Sequence, residues 1–258
     1  MSLPSFNGFQ FNDSNFITER VVFKGFANRA VTRAKINRRE GVKLLGTEFG
    51  EKEVTIEGVI ITDSASSLQS LVDGLKNSIQ VEEGTLTIEQ GREFTATVQN
   101  LAIPDEHYNQ SKAPFAITFI CTNPYAIGAL ETAITNVSSG IYTFSGAINI
   151  SGTFFNRPTI TYMPPDGVGQ TNINKLVFQH LLSGQSVTVS GFGSGLGLNY
   201  GDDVAVDYDG LSALEGTSVV DSGGSFSKWE TGINNYLVTF SGASVGGQMS
   251  FSYRPRYI

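Results

Sequence analysis

The sequence contains very little cysteine and histidine. Cys121 is the single cysteine, so it cannot form a disulfide within the chain, and its position in an apolar run predicts a buried, reduced thiol that points to assembly in a cytosol. The two histidines, His107 and His180, lie far apart in the sequence without a neighbouring cysteine, which is not the spacing of a zinc site. No nucleophile elbow, Walker loop or zinc-protease motif is present. We therefore expect no metal, no cofactor and no catalytic residue.

Charged residues are also scarce, at 16 % of the chain, and acidic ones prevail. A net charge of -7 and a pI near 4.9 would repel phosphate backbones at long range, so binding to nucleic acid along the whole sequence is not expected. No stretch approaches the roughly 18 apolar residues of a membrane span. The first residues lack the basic and apolar regions of a signal peptide. We expect neither insertion into a membrane nor secretion through a signal peptide.

Glycine and phenylalanine are abundant, with 29 and 18 copies, which suits a protein with many turns and an aromatic sheet interior. Apolar residues mostly alternate with polar ones over residues 20–103, as where Val54, Ile56 and Ile60 share one face of a strand. The dipeptide Gln90-Gly91 between two such runs predicts a tight antiparallel hairpin. The chain is therefore predicted to be mainly β.

A single helix interrupts this alternation. Asp63 and Ser64 can cap its start, and the apolar residues that follow recur at three- and four-residue spacing: Leu68, Leu71, Val72, Leu75 and Ile79. The helix is short and contains Gly74, so it needs to dock on a sheet to be stable. The first domain is thus expected to be a β-sandwich with one packed helix.

The organisation changes between residues 113 and 152. Residues 113–122 are apolar on both faces and end at Asn123-Pro124, which predicts a central, doubly covered strand that closes the first domain. Residues 125–152 are poor in charge and rich in Thr, Asn, Ser and Gly, which suits a linker or a strand exchange. We place the boundary near residue 130, giving domains 1–130 and 131–258.

The second half again alternates, with different turns. Strands are expected at residues 158–162, 175–178, 186–190, 204–208, 235–241 and 248–253. Regularly spaced short strands without helices predict a β-sandwich or jelly roll. The glycine-rich residues 191–197 miss the spacing of a dinucleotide site and are interpreted as a loop between strands.

One basic segment stands out in this acidic chain. Its cations share one parity and would line one face of an extended hairpin arm: Arg29, Arg33, Lys35 and Arg39. Such a stripe is as often a solvated surface as a contact. The alternative is that the arm docks on an acidic neighbouring subunit.

Two further groups could carry chemistry. Four carboxylates lack the spacing of a calcium-binding loop and are interpreted as turn residues at strand ends: Asp202, Asp203, Asp207 and Asp209. A hydrolase would need two carboxylates at one cleft, and Asp207 with Glu215 is the pair whose replacement would test it. Trp229, the single tryptophan, could present a face to a sugar, although a tryptophan packed in a sandwich corner is the more ordinary interpretation.

Several short motifs, in order along the chain, resemble the distal tail protein family of long-tailed phages. In the first half they are Phe6-Asn7-Gly8, residues 52–61 followed by a helix, and residues 117–125. In the second half they are residues 152–162 with Pro158, residues 201–207, Gly224-Ser225-Phe226, Gly232-Ile233-Asn234 and residues 251–257. Asn123 departs from the aspartate that the family usually has before Pro-Tyr, and the turn is expected to survive because both side chains bond locally.

The resemblance implies an N-terminal domain that forms a hexameric ring around the tail channel and a peripheral, galectin-like C-terminal sandwich. It implies a structural, non-enzymatic virion protein at the tail tip, assembled in the host cytoplasm. The implied partners are copies of itself, the tail tube, the tail-fibre or baseplate hub, and receptor-binding proteins. For the ring contacts we nominate residues 20–41 and 113–122, because edge strands offer unpaired backbone groups. The alternative is a carbohydrate-binding module that grips host saccharide.

Overall fold

The computed structural model describes residues 3–23, 29–35, 42–104, 111–166, 171–192, 198, 203–208, 211–215, 218–219, 221–242 and 246–258. The chain divides into two compact units, Met1–Ile127 together with Ile258, and Gly128–Tyr257. Each unit has its own buried core of apolar side chains.

The first unit consists of ten strands and one helix in the described residues. They are β1 (Ser5–Phe6), β2 (Phe9–Gln10), β3 (Phe16–Phe23), β4 (Arg29–Lys35), β5 (Val42–Phe49), β6 (Lys52–Ile61), α1 (Ala65–Ile79), β7 (Gly84–Glu89), β8 (Arg92–Ala102), β9 (Lys112–Cys121) and β10 (Ala126–Ile127). The main sheet has the order β2-β1-β7-β8-β9-β6-β3, with β10 also beside β8. Strands β4 and β5 form a separate two-stranded sheet.

The main sheet curls around an aromatic core. Phe9 of β2 and Phe16 of β3 belong to opposite ends of the strand order, yet their ring centroids lie 5.0 Å apart. Phe6 likewise contacts Phe119 of β9 at 5.1 Å between centroids. Because the two ends of the sheet share one core, the predicted N-terminal β-sandwich is confirmed.

Helix α1 covers the inner face of this sheet. The side chain of Ser64 accepts a hydrogen bond from the backbone N–H of Ser67 at 3.2 Å, which caps the helix as the sequence predicts. Four of the five apolar residues of the predicted stripe are buried: Leu68, Val72, Leu75 and Ile79. The helix packs against β6 and β9, so the prediction of one docked helix is confirmed. In the described part of the chain, no helix combines the length and apolar composition that a bilayer span needs.

The expected alternation and hairpin are both present. On β6, Val54, Ile56 and Ile60 are completely buried, while the alternating residues Thr55, Glu57 and Val59 are half-buried. Strands β7 and β8 pair antiparallel on either side of Gln90-Gly91, where Gly91 has φ +75°. Glycine adopts this left-handed conformation without the strain that a Cβ would add. The sequence-based prediction of a tight turn is therefore confirmed.

Strand β9 differs from its prediction in one respect. It lies between β6 and β8 and is therefore central, as expected, but its residues alternate between buried and half-buried or exposed. The expectation of a doubly covered strand is wrong for a single chain, because Ala116, Thr118 and Ile120 lie on a face that is only partly covered. The nomination of residues 113–122 as an open edge is wrong for most of the strand, since β9 pairs with both β6 and β8 from Ala116 to Cys121.

Cys121, the last residue of β9, is free and completely buried. Burial raises the pKa of its thiol to about 11, because a thiolate in this apolar position would lack solvent. A high pKa keeps the group as the less reactive thiol at neutral pH. The prediction of a buried, unpaired thiol is confirmed.

The second unit is a sandwich of two sheets. Its strands are β11 (Glu131–Val137), β12 (Thr143–Ile150), β13 (Thr159–Met163), β14 (Lys175–His180), β15 (Ser186–Ser190), β16 (Val204–Asp207), β17 (Ser212–Glu215), β18 (Ser218–Val219), β19 (Asp221–Gly224), β20 (Gly232–Ser241), β21 (Gly247–Tyr253) and β22 (Arg256–Tyr257). One sheet has the order β11-β21-β13-β16-β17-β18 and the other β12-β20-β14-β15-β19. Rings from the two sheets meet in the core, for example Tyr162 with Phe240 at 5.0 Å between centroids.

Every strand predicted for the second half is present, and the predicted sandwich is confirmed. The interpretation of residues 125–152 as a linker is wrong, because most of this segment forms β11 and β12. Both are edge strands of their sheets, and β11 is exposed at every position except Val137. Polar, uncharged residues suit such a strand because few of its side chains enter the core.

Replacing Gly58 by alanine tests the packing of the first unit. A Cβ at Gly58 would lie 2.8 Å from two ring carbons of Phe115 and would also meet the backbone oxygen of Ile17. We expect the Gly58→Ala variant to lose about 1–3 kcal/mol of unfolding free energy, measured by chemical denaturation, because the inner face has no room for a methyl group.

The matched control is Gly74→Ala on α1, where an added Cβ meets nothing within 4 Å. That change is expected to stabilise the unit by about 0.5–1 kcal/mol, since alanine is the better helix former. Equal stability of the two variants would contradict the described packing around Gly58.

Candidate interaction surfaces

The basic segment forms an extended hairpin. Strand β4 pairs antiparallel with β5 from Arg29 opposite Phe49 to Lys35 opposite Val42, with an irregularity between Thr32 and Arg33. The predicted hairpin arm is therefore present. Arg29, Arg33 and Lys35 belong to β4, whereas Arg39 lies outside the described residues. Their role in partner contact stays a prediction.

A second surface is the outer face of the main sheet of the first unit. We define it by the side chains that alternate with the buried ones on the central strands: Glu53, Thr55, Glu57, Val59 and Ile61 of β6, Ala116, Thr118 and Ile120 of β9, and Glu93, Thr95 and Thr97 of β8. Most of these side chains are half-buried, and the hydroxyl oxygens of Thr55 and Thr118 lie 3.3 Å apart across two strands. Small threonine and alanine side chains leave this face flat.

The outer face carries more acidic than basic groups. Glu53, Glu57 and Glu93 lie on its central strands, whereas its cations lie at the periphery. Arg20 belongs to the edge strand β3 and has a side chain that is 67 % exposed, 4.0 Å from Glu57. Lys112 is exposed at the first position of β9. The outer face therefore carries three glutamates against two peripheral cations among these residues.

Asp207 and Glu215, the pair named for a hydrolase, do not lie opposite each other in the sheet. Asp207 lies opposite Ser212 and Glu215 lies opposite Val204, so the two positions are at opposite ends of the β16–β17 pair. Asp202 and Asp209 lie outside the described residues. In the ranges that are described, no three acidic, histidine or cysteine side chains come together as a metal site.

Trp229 does not present a face to solvent. It is completely buried, and its ring stacks on that of His180 with centroids 4.6 Å apart and planes 20° apart. The rings of Tyr208 and Phe251 each lie 6.0 Å from it. The interpretation of Trp229 as a sugar contact is therefore wrong, and the alternative of a tryptophan packed in the sandwich is correct, because the side chain is completely buried among other rings.

His180 belongs to a buried hydrogen-bond network that the sequence did not indicate. Its Nε2 lies 3.0 Å from Oδ1 of Asn234, and its Nδ1 lies 2.9 Å from Oγ of Ser183. The Nδ2 of Asn234 donates to the carbonyl oxygens of Glu230, at 2.7 Å, and Gly232, at 2.9 Å. Because the amide of Asn234 is fixed as acceptor toward the ring, Nε2 must be the protonated nitrogen and Nδ1 the acceptor from Ser183.

The burial of His180 makes the stability of the second unit sensitive to acid. Burial lowers the pKa of His180, while the Asn234 hydrogen bond and the charge of Glu230 act in the opposite direction without overcoming it. An unfolded histidine titrates near pH 6.5. As the pH falls below about 6.5, His180 becomes protonated in the unfolded chain before it does so in the folded chain. The contribution of His180 to the unfolding free energy is therefore constant above about pH 6.5 and decreases as the pH drops toward the lower pKa of the folded state.

We expect the unfolding free energy of the second unit to decrease between pH 7.5 and pH 5.5, and the decrease to shrink in a His180→Gln variant. Denaturation with urea at several pH values measures both. The control is His107→Gln, which removes the other histidine of the chain and is expected to keep the parent's dependence. A parent-like pH profile in the His180→Gln variant would assign the acid sensitivity to other groups.

The second unit also has an apolar groove that the sequence patterns did not indicate. Leu181, Leu182 and Ile233 line an open groove of about 700 Å³ beside the edge strand β12. Leu182 is 69 % exposed and Ile233 is 73 % exposed. Clustered apolar side chains in solvent mark surfaces that contact other molecules. The neighbouring Asn234 points inward, so the outward position of Ile233 follows from strand alternation once the strand is known.

The described features define a mainly β protein of two units, with a hairpin arm on the first and a two-sheet sandwich as the second. No family model and no curated protein matches the chain. The chain has the fold of the Dit protein (gp 19.1) of phage SPP1, with a TM-score of 0.72 and 12 % sequence identity over 99 % of this chain and 98 % of that chain. The SPP1 protein is described as a paradigm of the hub adsorption apparatus in phages that infect Gram-positive bacteria.

Two structures of the phage P2 baseplate in its activated conformation are more distantly similar. The structure with Ca has a TM-score of 0.41 at 11 % identity, and the structure with Sr has 0.40 at 12 % identity. Each covers 91 % of this chain and 90 % of the matched chain.

Proposed function

We propose that this protein is a structural component of the distal end of a phage tail. Its first unit forms a hexameric ring that joins the tail tube to the baseplate or tail-fibre hub. Its second unit is a galectin-like sandwich at the periphery that anchors receptor-binding proteins. The protein acts by assembly and not by catalysis, and it resides at the tip of the virion after assembly in the host cytoplasm.

The observation that carries this proposal is the likeness to SPP1 Dit over both units. The match covers 99 % of this chain and 98 % of that chain, so it extends over both units. At 12 % identity the likeness concerns the fold, and the function is our inference from it.

The surfaces of the first unit suit a ring. A closed ring of identical subunits needs two different complementary surfaces on each subunit, related by a rotation that closes. The hairpin β4–β5 is rich in Lys and Arg, whereas β6 places two glutamates on the outer face. Two surfaces of opposite charge on one unit favour head-to-tail contact between copies over contact between like faces.

A carbohydrate-binding module is the second candidate and is now less favoured. The single tryptophan, Trp229, was its nominated contact and is completely buried. Screening the whole chain on a glycan array separates the two candidates. Saturable binding to one class of saccharide would support the module, whereas the tail-hub role predicts assembly whether or not a saccharide is bound.

Negative-stain electron microscopy of the purified full chain tests the proposed function. We expect closed rings with a central opening and six subunits in class averages. Single particles without rings, over the whole range of protein concentrations used, would overturn the proposal.

A further inference from the structure

The outer face of the main sheet is a large surface without a cover from the described core. Its inner counterpart is covered by α1 and the phenylalanine cluster, whereas Thr55, Thr118 and Ile120 stay half-buried. A sheet face of this kind accepts a second layer of strands at about 10 Å, which the flat row of threonine and alanine side chains permits.

The hairpin β4–β5 has the complementary requirement. Within the described residues it forms a sheet of two strands, and an isolated two-stranded hairpin is marginally stable in water. Packing one of its faces on another surface would stabilise it. Packing of the hairpin on the outer face of a sheet would therefore stabilise the hairpin and cover the half-buried side chains of that face.

The charges of the two surfaces match. Residues 29–49 contain six Lys and Arg and two Glu, a net charge of +4. Because the whole chain has a net charge of -7, the remaining residues carry -11. Strand β4 contributes Arg29, Arg33 and Lys35 without any acidic residue, whereas β6 places Glu53 and Glu57 on the outer face.

We propose that the outer face of one subunit receives the hairpin β4–β5 of a second copy of this chain. This inference rests on the proposed function and specifies its subunit contact. Each copy then offers a basic hairpin to one neighbour and an acidic face to the other, a head-to-tail contact of the type that closes rings. Opposite charges align the hairpin across β6, β9 and β8 and disfavour contact between two like surfaces.

Charge reversal on each surface tests the contact. The hairpin variant carries Arg33→Glu and Lys35→Glu, and the face variant carries Glu53→Arg and Glu57→Arg. For each variant alone we expect the oligomer fraction, measured by mass photometry, to be at least tenfold lower than that of the parent. The reason is that like charges would face each other in every contact between subunits.

An equimolar mixture of the two variants is the decisive arm of the experiment. In a ring that alternates the two variants, the acidic hairpin of the hairpin variant contacts the basic face of the face variant. The basic hairpin of the face variant contacts the acidic face of the hairpin variant, so every contact again joins opposite charges. We expect the mixture to regain the parent's oligomer.

The control variant Asp73→Arg with Asn77→Arg and Gln80→Arg makes the same change in net charge at exposed positions on α1 and at its C-terminal end, away from the outer face. It is expected to assemble like the parent. Circular dichroism checks that each variant is folded. The exposed Arg20–Glu57 pair contributes little stability, so the face variant is expected to fold.

Should the face variant be unfolded, the neutral changes Glu53→Gln and Glu57→Gln replace it. They are expected to raise the concentration of half-assembly about tenfold, a shift that the control does not produce. Unchanged assembly of the neutral pair would overturn the contact.

Three results would overturn the inference. The face variant could assemble like the parent, which would exclude the outer face. The mixture could stay unassembled while a chain carrying all four reversals recovers, which would mean that the hairpin packs on its own subunit. A parent chain that never assembles would instead overturn the proposed function, and with it this contact.

Discussion

Replacement of Trp229 by alanine is expected to lower the unfolding free energy of the second unit by about 3–5 kcal/mol, the usual cost of removing a large aromatic side chain from a core. Trp229 is completely buried and stacks on His180 at 4.6 Å between ring centroids. Its backbone also exchanges two hydrogen bonds with Asn156, at 2.8 and 2.9 Å, which joins two loops of the sandwich. The cavity left by the indole would remove contacts from several rings at once.

Urea denaturation followed by far-ultraviolet circular dichroism measures this loss. Fluorescence is unsuitable because Trp229 is the only tryptophan of the chain. The control is Tyr142→Ala, which removes an aromatic side chain of the same unit that is 55 % exposed. It is expected to change stability by about 0.5 kcal/mol or less. Similar losses in the two variants would contradict the packed position of Trp229.

Replacement of Asn234 by alanine is expected to cost about 3 kcal/mol, because one buried amide serves three partners. The change would leave Nε2 of His180 and the carbonyl oxygens of Glu230 and Gly232 without their acceptor or donor. Each buried polar group that loses its partner costs about 1–3 kcal/mol, less where water can enter. The variant is also expected to lower the pKa of His180 further, because the hydrogen bond from Asn234 opposes the effect of burial.

The matched control is Asn235→Ala at the adjacent position of β20, where the side chain is exposed. The same chemical change there is expected to alter the unfolding free energy by about 0.5 kcal/mol or less. Chemical denaturation of both variants at pH 7.5 gives the comparison. A loss below about 1 kcal/mol for Asn234→Ala would mean that the network contributes little to stability.

Local patterns predicted the elements whose signals are local. Helix α1 followed from the spacing of Leu68, Val72 and Leu75 and from its cap, and the β7–β8 turn followed from Gln90-Gly91. The sequence identified strand β9, but it did not show that only one face of the strand is fully covered by other elements. An apolar run shows which side chains tolerate burial, whereas the neighbouring elements decide which face is buried.

The errors arose where long-range packing decides the outcome. Strand β11 has a loop-like composition and forms by pairing with β21, more than a hundred residues later. The contact between His180 and Asn234 joins residues 54 positions apart in sequence. The burial of Trp229 likewise depends on rings from other strands. Neither periodicity nor a short motif contains this information.

The hairpin β4–β5 and the outer face show the same contrast between local and long-range information. The sequence indicated the cations of β4 through their parity, and the apolar alternation of β6 indicated which of its residues face away from the core. The structure adds that the hairpin is a two-stranded sheet and that the glutamates lie on the partly covered side of a curled one. Together these observations support the claim that copies of the chain assemble through these two surfaces.

Mass photometry of the purified full chain tests that claim most directly. Six chains of 27.7 kDa give about 166 kDa for the closed ring that we propose. We predict a dominant species of this mass that dissociates as the salt concentration rises, because screening weakens the contact between opposite charges. A single species of 27.7 kDa at every protein concentration would contradict the account.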